Sequence, residues 1–188
     1  MENKKKIFTI PNILSFFRLL LIPFFIYAFF RWENTIINGS IVLISGITDV
    51  LDGIIARKFN MVSDLGKMLD PIADKFSQLA LCICLSIKFN VIIVLLVLLI
   101  TRDLFMLVSG SILFKKFKYT FSALWYGKIA TASTYICLMC YLFFPNGNQI
   151  VLLIFTSISA ILVALSFVMY VIHNFKVLKS FNNSIVNK

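Results

Sequence analysis

The chain has 188 residues, of which 60% are hydrophobic and only 14% are charged, and its mean hydropathy is +0.95. This composition excludes an ordinary soluble domain and predicts an integral membrane protein. The net charge of +10 does not indicate nucleic-acid binding, because the basic residues lie at the ends of hydrophobic segments instead of forming one basic polar region. We therefore expect the lipid bilayer as a partner, and no nucleic acid.

Six hydrophobic segments are long enough to cross a bilayer, which takes about 20 residues each. Short polar breaks separate them and no repeat or second domain is visible, so we predict an all-α, six-span membrane protein with a single domain over residues 1–188. Arg18 and Pro23 interrupt the first apolar run, so we expect a span there and not a cleaved signal peptide. The predicted spans are Ile13–Phe30, Ile36–Phe59, Met68–Ile87, Val91–Leu113, Ser122–Phe144 and Ile150–Ile172.

Basic residues are distributed unequally between the two sets of span ends. One side has only Arg31 and Lys88, and the other has Lys4, Lys5, Lys6, Arg57, Lys58, Lys67, Lys115, Lys116, Lys118, Lys176 and Lys179. Because lysine and arginine favour the cytoplasmic side, both termini are predicted to be cytoplasmic. We expect a multi-pass protein of the plasma membrane.

Acidic residues are concentrated between Asp49 and Asp74, where five of the chain's eight lie. Ionisable groups inside a membrane are costly, so such a cluster indicates a functional site. The predicted topology puts Asp49 and Asp52 in the inner half of span two, and it puts Asp70 and Asp74 at the same level in span three. This arrangement predicts a polar cavity that opens to the cytoplasm, with the active site in it.

The spacing of these carboxylates predicts a metal site. Asp49 and Asp52 are three residues apart and Asp70 and Asp74 are four apart, so each pair projects from one face of a helix. Carboxylate oxygens on facing helices suit Mg²⁺ or Mn²⁺. Two such ions would neutralise four negative charges and bind a diphosphate between them.

Residues beside the carboxylates suggest how a phosphorylated ligand fits. Gly53 and Ala56 leave room for close approach of a ligand or a helix, and Arg57 is suited to a bidentate contact with phosphate. Ser63 is a candidate hydroxyl contact, and Gly66 is expected to provide a tight entry from the loop into span three.

The pattern Asp49-x2-Asp52-Gly53-x2-Ala56-Arg57-x8-Gly66-x3-Asp70-x3-Asp74 resembles the complete signature of the CDP-alcohol phosphatidyltransferase family. This resemblance implies a membrane enzyme with six helices, often homodimeric, that requires Mg²⁺ or Mn²⁺ and displaces CMP from a CDP-linked lipid by attack of an alcohol. It implies two metal ions on the four aspartates, with Asp74 also acting as general base. It further implies a CDP site formed from Asp52, Gly53, Ala56, Arg57, Ser63 and Gly66.

The choice of alcohol depends on a second resemblance. The segments Ile10–Arg18, Leu21–Pro23 and Gly127–Thr131 resemble the bacterial members that make phosphatidylglycerophosphate, the precursor of phosphatidylglycerol. This resemblance implies CDP-diacylglycerol and glycerol 3-phosphate as substrates. Arg102-Asp103 and Thr134 depart from that group's usual residues and also fit related cardiolipin synthases, so the acceptor stays open between these and other alcohols. Candidates for the acceptor phosphate are Arg102 and Lys128, with Arg18 third.

Each candidate also has a purely structural interpretation. The aspartates would then form an ion-pair network with Arg57 and nearby lysines, and Arg102 and Asp103 would each pair with a different neighbour. Lys128 and Arg18 would extend to the interface. An ion transporter is a remote alternative, because the predicted outer half has almost no charge and no inverted repeat is visible.

Overall fold

The structure is a computed structural model that describes residues 9–32, 34–58, 64–117 and 124–186. Within these ranges, the side chains of residues 10–11, 56–57, 64–68, 114–117 and 181–186 lie outside the description. The predicted contacts of Ala56, Arg57 and Ser63 therefore concern side chains that are not described and stay predictions.

The described residues form six α-helices, which confirms the predicted all-α fold and the number of helical segments. The helices are α1 (Ile10–Arg31), α2 (Thr35–Lys58), α3 (Asp64–Lys88), α4 (Ile92–Phe117), α5 (Trp125–Phe143) and α6 (Gln149–Val186). In the described residues, four helical segments are long and apolar enough to cross a membrane: Asn12–Arg31, Thr35–Ile55, Ile92–Leu113 and Gln149–Ser180. The chain is therefore a membrane protein.

Two helices begin at asparagine caps, as the polar breaks suggest. The Oδ1 of Asn34 accepts hydrogen bonds from the backbone N–H groups of Ile36 and Ile37, at 2.9 and 3.3 Å. The Oδ1 of Asn148 likewise accepts from the N–H of Ile150 at 2.9 Å. These bonds satisfy backbone donors that the first turn of a helix leaves unpaired.

Two predicted boundaries were wrong. Helix α3 already begins at Asp64, so Gly66 lies in its first turn and does not provide the entry from a loop. Helix α6 continues to Val186 and not to Ile172, because the polar residues after Ile172 include neither proline nor glycine. Hydropathy marks where a segment leaves lipid, whereas a helix ends only where its backbone pattern is broken.

The chain forms two compact units. The first comprises α1, α2 and α3 together with residues 142–145. In it, α1 packs against both α2 and α3. Small side chains permit this close packing, since Ala28 of α1 and Ala73 of α3 are fully buried. Whether both units constitute the single domain expected from the sequence stays a prediction.

The second unit contains α4, most of α5, and α6. Helices α4 and α6 pack together, and the amide of Asn174 donates to the hydroxyl of Ser109 at 2.9 Å. Helices α5 and α6 are joined where the hydroxyl of Ser159 donates to the carbonyl of Ser133 at 3.0 Å. Such interhelical hydrogen bonds stabilise helix association where lipid provides no hydrophobic driving force.

Gly127 allows a tyrosine of α6 to lie against the start of α5. A Cβ atom at this position would collide with the hydroxyl of Tyr170, whose side chain is 2% exposed and packs edge-to-face on Tyr126 with ring centroids 4.7 Å apart. We expect Gly127→Ala to lower the apparent Tm of the purified protein, because overpacking of this kind costs about 1 to 3 kcal/mol.

The matched control is Gly46→Ala in α2, where an added Cβ meets no atom of the described residues within 4 Å. It is expected to leave Tm unchanged or to raise it, since alanine is the better helix former by about 1 kcal/mol. Tyr170→Phe in the Gly127→Ala background should restore part of the stability, because it removes the colliding hydroxyl but leaves the ring carbons Cζ and Cε2 at 3.0 and 3.1 Å from the added Cβ. Equal Tm values for the two single variants would show that the close approach of Tyr170 does not limit stability.

Candidate active site

The guanidinium of Arg18 lies at the centre of the aspartate cluster. Its Nη1 contacts Asp49 and Asp74, the latter at 3.0 Å. Its Nη2 contacts Asp52 and also Asp70, at 3.3 Å from the Asp70 carboxylate. The structure thus brings together all four predicted carboxylates, from two helices, around one cation from a third.

A polar stripe on α1 supplies this cation. Asn12, Ser15 and Arg18 are three residues apart, so they share one face of an otherwise apolar helix, and all three are buried. The hydroxyl of Ser15 donates toward Asp70 at 3.2 Å and toward Asp52 at 3.5 Å. Sequence analysis did not identify Ser15 as a site residue, although its spacing from Arg18 contains the signal.

Burial divides the site into a closed side and an open side. Arg18 and Asp52 are 1% and 2% exposed, whereas Asp49, Asp70 and Asp74 are 38%, 43% and 53% exposed. Arg18 therefore reaches the carboxylates from the interior, and the other side of the cluster is accessible. Arg18 is thus buried among the carboxylates, which disagrees with the structural interpretation of an exposed side chain at the interface.

The carboxylates are placed suitably for a metal ion. One oxygen from each of Asp49, Asp52 and Asp70 can be chosen so that all three lie within 4.8 Å of one another. Ions such as Mg²⁺ have oxygen ligands at about 2.1 Å, so two ligands of one ion lie at most about 4.2 Å apart, and oxygens within 4.8 Å of one another need only a small side-chain movement to share it. Asp74 contacts the same guanidinium nitrogen as Asp49 and is near enough to join the set after small side-chain movements. The donor set therefore fits a hard divalent cation.

The remaining residues of the predicted CDP site are described only in part. Gly53 follows Asp52 directly on α2 and is partly exposed. Ala56 and Arg57 lie one turn further along α2, and Gly66 lies in α3. Ser63 lies outside the described residues.

Arg102 and Lys128 belong to the second unit. Arg102 is 2% exposed, and its Nε and Nη2 each lie 3.0 Å from Oδ1 of Asp103. The two residues thus pair with each other, which corrects the interpretation that each pairs with a different neighbour. Nη1 of Arg102 is buried without a hydrogen-bond partner among the described residues. Lys128 is exposed in the first turn of α5, nearer the helix end than predicted, because α5 begins at Trp125.

Comparison with known proteins agrees with this geometry. A model of the CDP-alcohol phosphatidyltransferase family matches residues 8–176 and thus includes every candidate residue. The chain belongs to that family. It is accordingly a transferase, and the aspartate cluster that fits a metal agrees with the metal dependence of CDP-alcohol phosphatidyltransferases.

Individual relatives within the family carry two kinds of name. CDP-diacylglycerol–glycerol-3-phosphate 3-phosphatidyltransferase of Aquifex aeolicus is 33% identical over 177 residues, which is 90% of this chain and 97% of the relative. The protein of the same name from Haemophilus influenzae is 32% identical over 173 residues, or 87% and 91%. A cardiolipin synthase (CMP-forming)/mitochondrial hydrolase fusion protein of Schizosaccharomyces pombe is 39% identical over 110 residues, or 58% of this chain and 18% of the fusion protein.

Proposed function

We propose that the protein transfers a phosphatidyl group from CDP-diacylglycerol to glycerol 3-phosphate, forming phosphatidylglycerophosphate and releasing CMP. The observation that supports this most directly is the convergence of Asp49, Asp52, Asp70 and Asp74 on one point in a member of this family. The acceptor is proposed from two relatives that bear the corresponding name and match nearly the whole chain.

Two divalent ions, Mg²⁺ or Mn²⁺, are proposed to bind the four aspartates. When bound, they neutralise the negative charge that the diphosphate and the leaving CMP develop. The chain contributes the geometry: α2 and α3 hold two carboxylates each, and the interior position of Asp52 fixes one of them. Asp52, Gly53, Ala56, Arg57, Ser63 and Gly66 are the proposed contacts for the CDP group.

Asp74 is proposed as the general base. It is the most exposed of the four carboxylates, at 53%, and so is the one best reached by an incoming hydroxyl. In the reaction, the acceptor oxygen forms a bond to the lipid-bearing β-phosphorus while the bond from that phosphorus to the bridging oxygen breaks. The bridging oxygen leaves with CMP and keeps the electron pair, and the acceptor proton passes to Asp74.

Arg102 and Lys128 are the proposed ligands of the acceptor phosphate, with Arg18 as a third candidate. The Nη1 of Arg102, buried without a hydrogen-bond partner among the described residues, supports this role, because a buried donor without an acceptor is unfavourable and an anionic ligand would supply the acceptor. Lys128 is exposed in the first turn of α5. This exposure supports its role, because glycerol 3-phosphate in solution can reach it.

The proposal also includes the membrane topology and the assembly of the protein. We propose that all six helices cross the plasma membrane, with both termini and a polar cavity on the cytoplasmic side, as the distribution of Lys and Arg indicates. We further propose one functional domain over residues 1–188 and a homodimer, the assembly that the family resemblance implies.

An acceptor panel tests the proposed reaction. Protein purified in detergent is incubated with radiolabelled CDP-diacylglycerol and, in separate reactions, glycerol 3-phosphate, phosphatidylglycerol, inositol, serine or no alcohol. We expect CMP release and a labelled product only with glycerol 3-phosphate, with phosphatidylglycerophosphate identified by chromatography. Product with another acceptor alone would refute the proposed substrate and leave the transfer chemistry intact.

The same assay tests Lys128. Lys128→Ala is expected to raise KM for glycerol 3-phosphate about tenfold or more, because one charge-assisted contact to phosphate is lost, and to leave KM for CDP-diacylglycerol unchanged. Lys88→Ala, which removes an exposed lysine at the end of α3, is the matched control and should change neither value. An unchanged acceptor KM in Lys128→Ala would remove this residue from the phosphate site.

Cardiolipin synthesis is the second candidate, with phosphatidylglycerol as acceptor. The S. pombe fusion protein, 39% identical over the part that matches, favours it. A labelled product with phosphatidylglycerol alone in the acceptor panel would select this alternative.

A further inference from the structure

The four aspartates of the site surround a cation that the chain itself supplies. Arg18 contacts Asp49, Asp52, Asp70 and Asp74 through its two terminal nitrogens. The three carboxylates suited to sharing one metal ion are among its partners. A guanidinium and a divalent ion placed here would therefore use the same carboxylates.

We propose that Arg18 is an exchangeable internal cation: it holds the four carboxylates together before metal ions bind, and it leaves them when the ions bind. This inference rests on the metal site of the proposed function and does not depend on the identity of the acceptor.

Charge supports an exchangeable role over a permanent ion pair. Arg18 contributes one positive charge to four carboxylates. Of these, Asp52 is buried with it, and a buried ion pair often fails to offset the cost of desolvating its two charges. Two divalent ions would balance the charge of all four carboxylates. The guanidinium would then be repelled by the neighbouring cations and would find fewer carboxylate lone pairs to bind.

The burial of Arg18 indicates the side from which metal ions reach the carboxylates. Arg18 is 1% exposed and reaches the cluster from the interior, whereas Asp49, Asp70 and Asp74 are accessible on the other side. Ions can therefore approach from the accessible side without passing the arginine. The Nε of Arg18 is buried without a hydrogen-bond partner among the described residues, so the guanidinium is not fully satisfied in this position. After exchange, the charge of Arg18 remains beside the metal site and is available to an anionic oxygen of a substrate.

Mn²⁺ binding distinguishes this role from that of a fixed scaffold. Full-length protein is stripped of metal in nanodiscs and titrated with Mn²⁺, and free Mn²⁺ is followed by electron paramagnetic resonance. We expect Arg18→Gln to bind Mn²⁺ about tenfold tighter than the wild type, because a competing cation has been removed. If Arg18 only held the metal ligands in place, its loss would instead weaken Mn²⁺ binding.

Two further variants complete the binding experiment. Arg31→Gln makes the same charge change on an exposed residue at the other end of α1, roughly 20 Å away along the helix, and should leave Mn²⁺ affinity unchanged. Arg18→Lys keeps the charge but cannot contact four carboxylates at once, so its affinity should fall between those of the wild type and Arg18→Gln. Should Arg18→Gln fail to fold, Arg18→Lys decides the question by the same comparison.

Thermal stability provides a second readout, measured without electron paramagnetic resonance. Without metal, Arg18→Gln should have a lower Tm than the wild type, and saturating Mn²⁺ should raise its Tm more than that of the wild type. Mn²⁺ affinity in the Arg18 variants equal to or weaker than that of the wild type would overturn the exchange. Absence of Mn²⁺ binding to the wild type would instead refute the metal site of the proposed function.

Discussion

Asp74→Asn is expected to abolish turnover while the variant still binds CDP-diacylglycerol. Asparagine has nearly the same shape and keeps one oxygen that can ligate a metal, but it cannot accept the proton of the attacking hydroxyl. Loss of a positioned general base typically lowers kcat by about 10² to 10⁴. The measurement is single-turnover CMP release, together with direct binding of CDP-diacylglycerol.

Two controls distinguish loss of the general base from other effects of the substitution. Asp64→Asn makes the same substitution at the first residue of α3, six residues before Asp70 in the chain, and is expected to keep wild-type turnover. Mn²⁺ titration of Asp74→Asn should show that metal binding persists, which separates loss of the base from loss of the site. Turnover near the wild-type rate would remove Asp74 as the base, and the proton would then have to pass to another group.

Removal of divalent ions is expected to have the second large effect. Chelation should lower the rate of CMP release at least about a thousandfold, since a metal ion stabilises transition-state charge by several kcal/mol and 4 kcal/mol corresponds to this factor. Adding Mg²⁺ or Mn²⁺ should restore the rate. A rate that persists in excess chelator would refute metal-assisted transfer.

Substitution of Asp52 is expected to change the Mg²⁺ concentration that this recovery requires. Asp52 is 2% exposed and is the carboxylate fixed most firmly by its surroundings. Asp52→Asn should therefore need a higher Mg²⁺ concentration for half-maximal recovery, because the charge of one ligand is lost. Lys88→Ala serves as the control here too, since it alters a charge at the far end of α3 from Asp70 and Asp74. An unchanged Mg²⁺ requirement in Asp52→Asn would show that this carboxylate does not hold a metal.

Much of the fold could be predicted because its signals are local. A run of apolar residues requires its backbone to form hydrogen bonds within the segment, so each such run predicts a helix. Helix ends were less accurate: α6 continues past the apolar run that ends at Ile172 to Val186, and α3 begins before Gly66. Both errors arose because hydropathy was used to place boundaries that local backbone geometry decides.

The candidate site was predictable for the same reason, but only within each helix. The spacing of Asp49 from Asp52, and of Asp70 from Asp74, fixes which carboxylates share a face. No local pattern shows which residue of another helix opposes them. Arg18 and Ser15 are 31 or more residues away from the nearest of these aspartates along the chain, and their contacts depend on the packing of α1 against α2 and α3.

The amino-acid sequence is enough to predict a helical membrane protein and to single out the four carboxylates that the candidate site brings together. Composition and spacing are properties of consecutive residues, and they suffice for this. The contact of all four carboxylates with the guanidinium of Arg18 is visible only once the helices are packed. Such pairings depend on the rotation and depth at which helices pack, which many side chains set together.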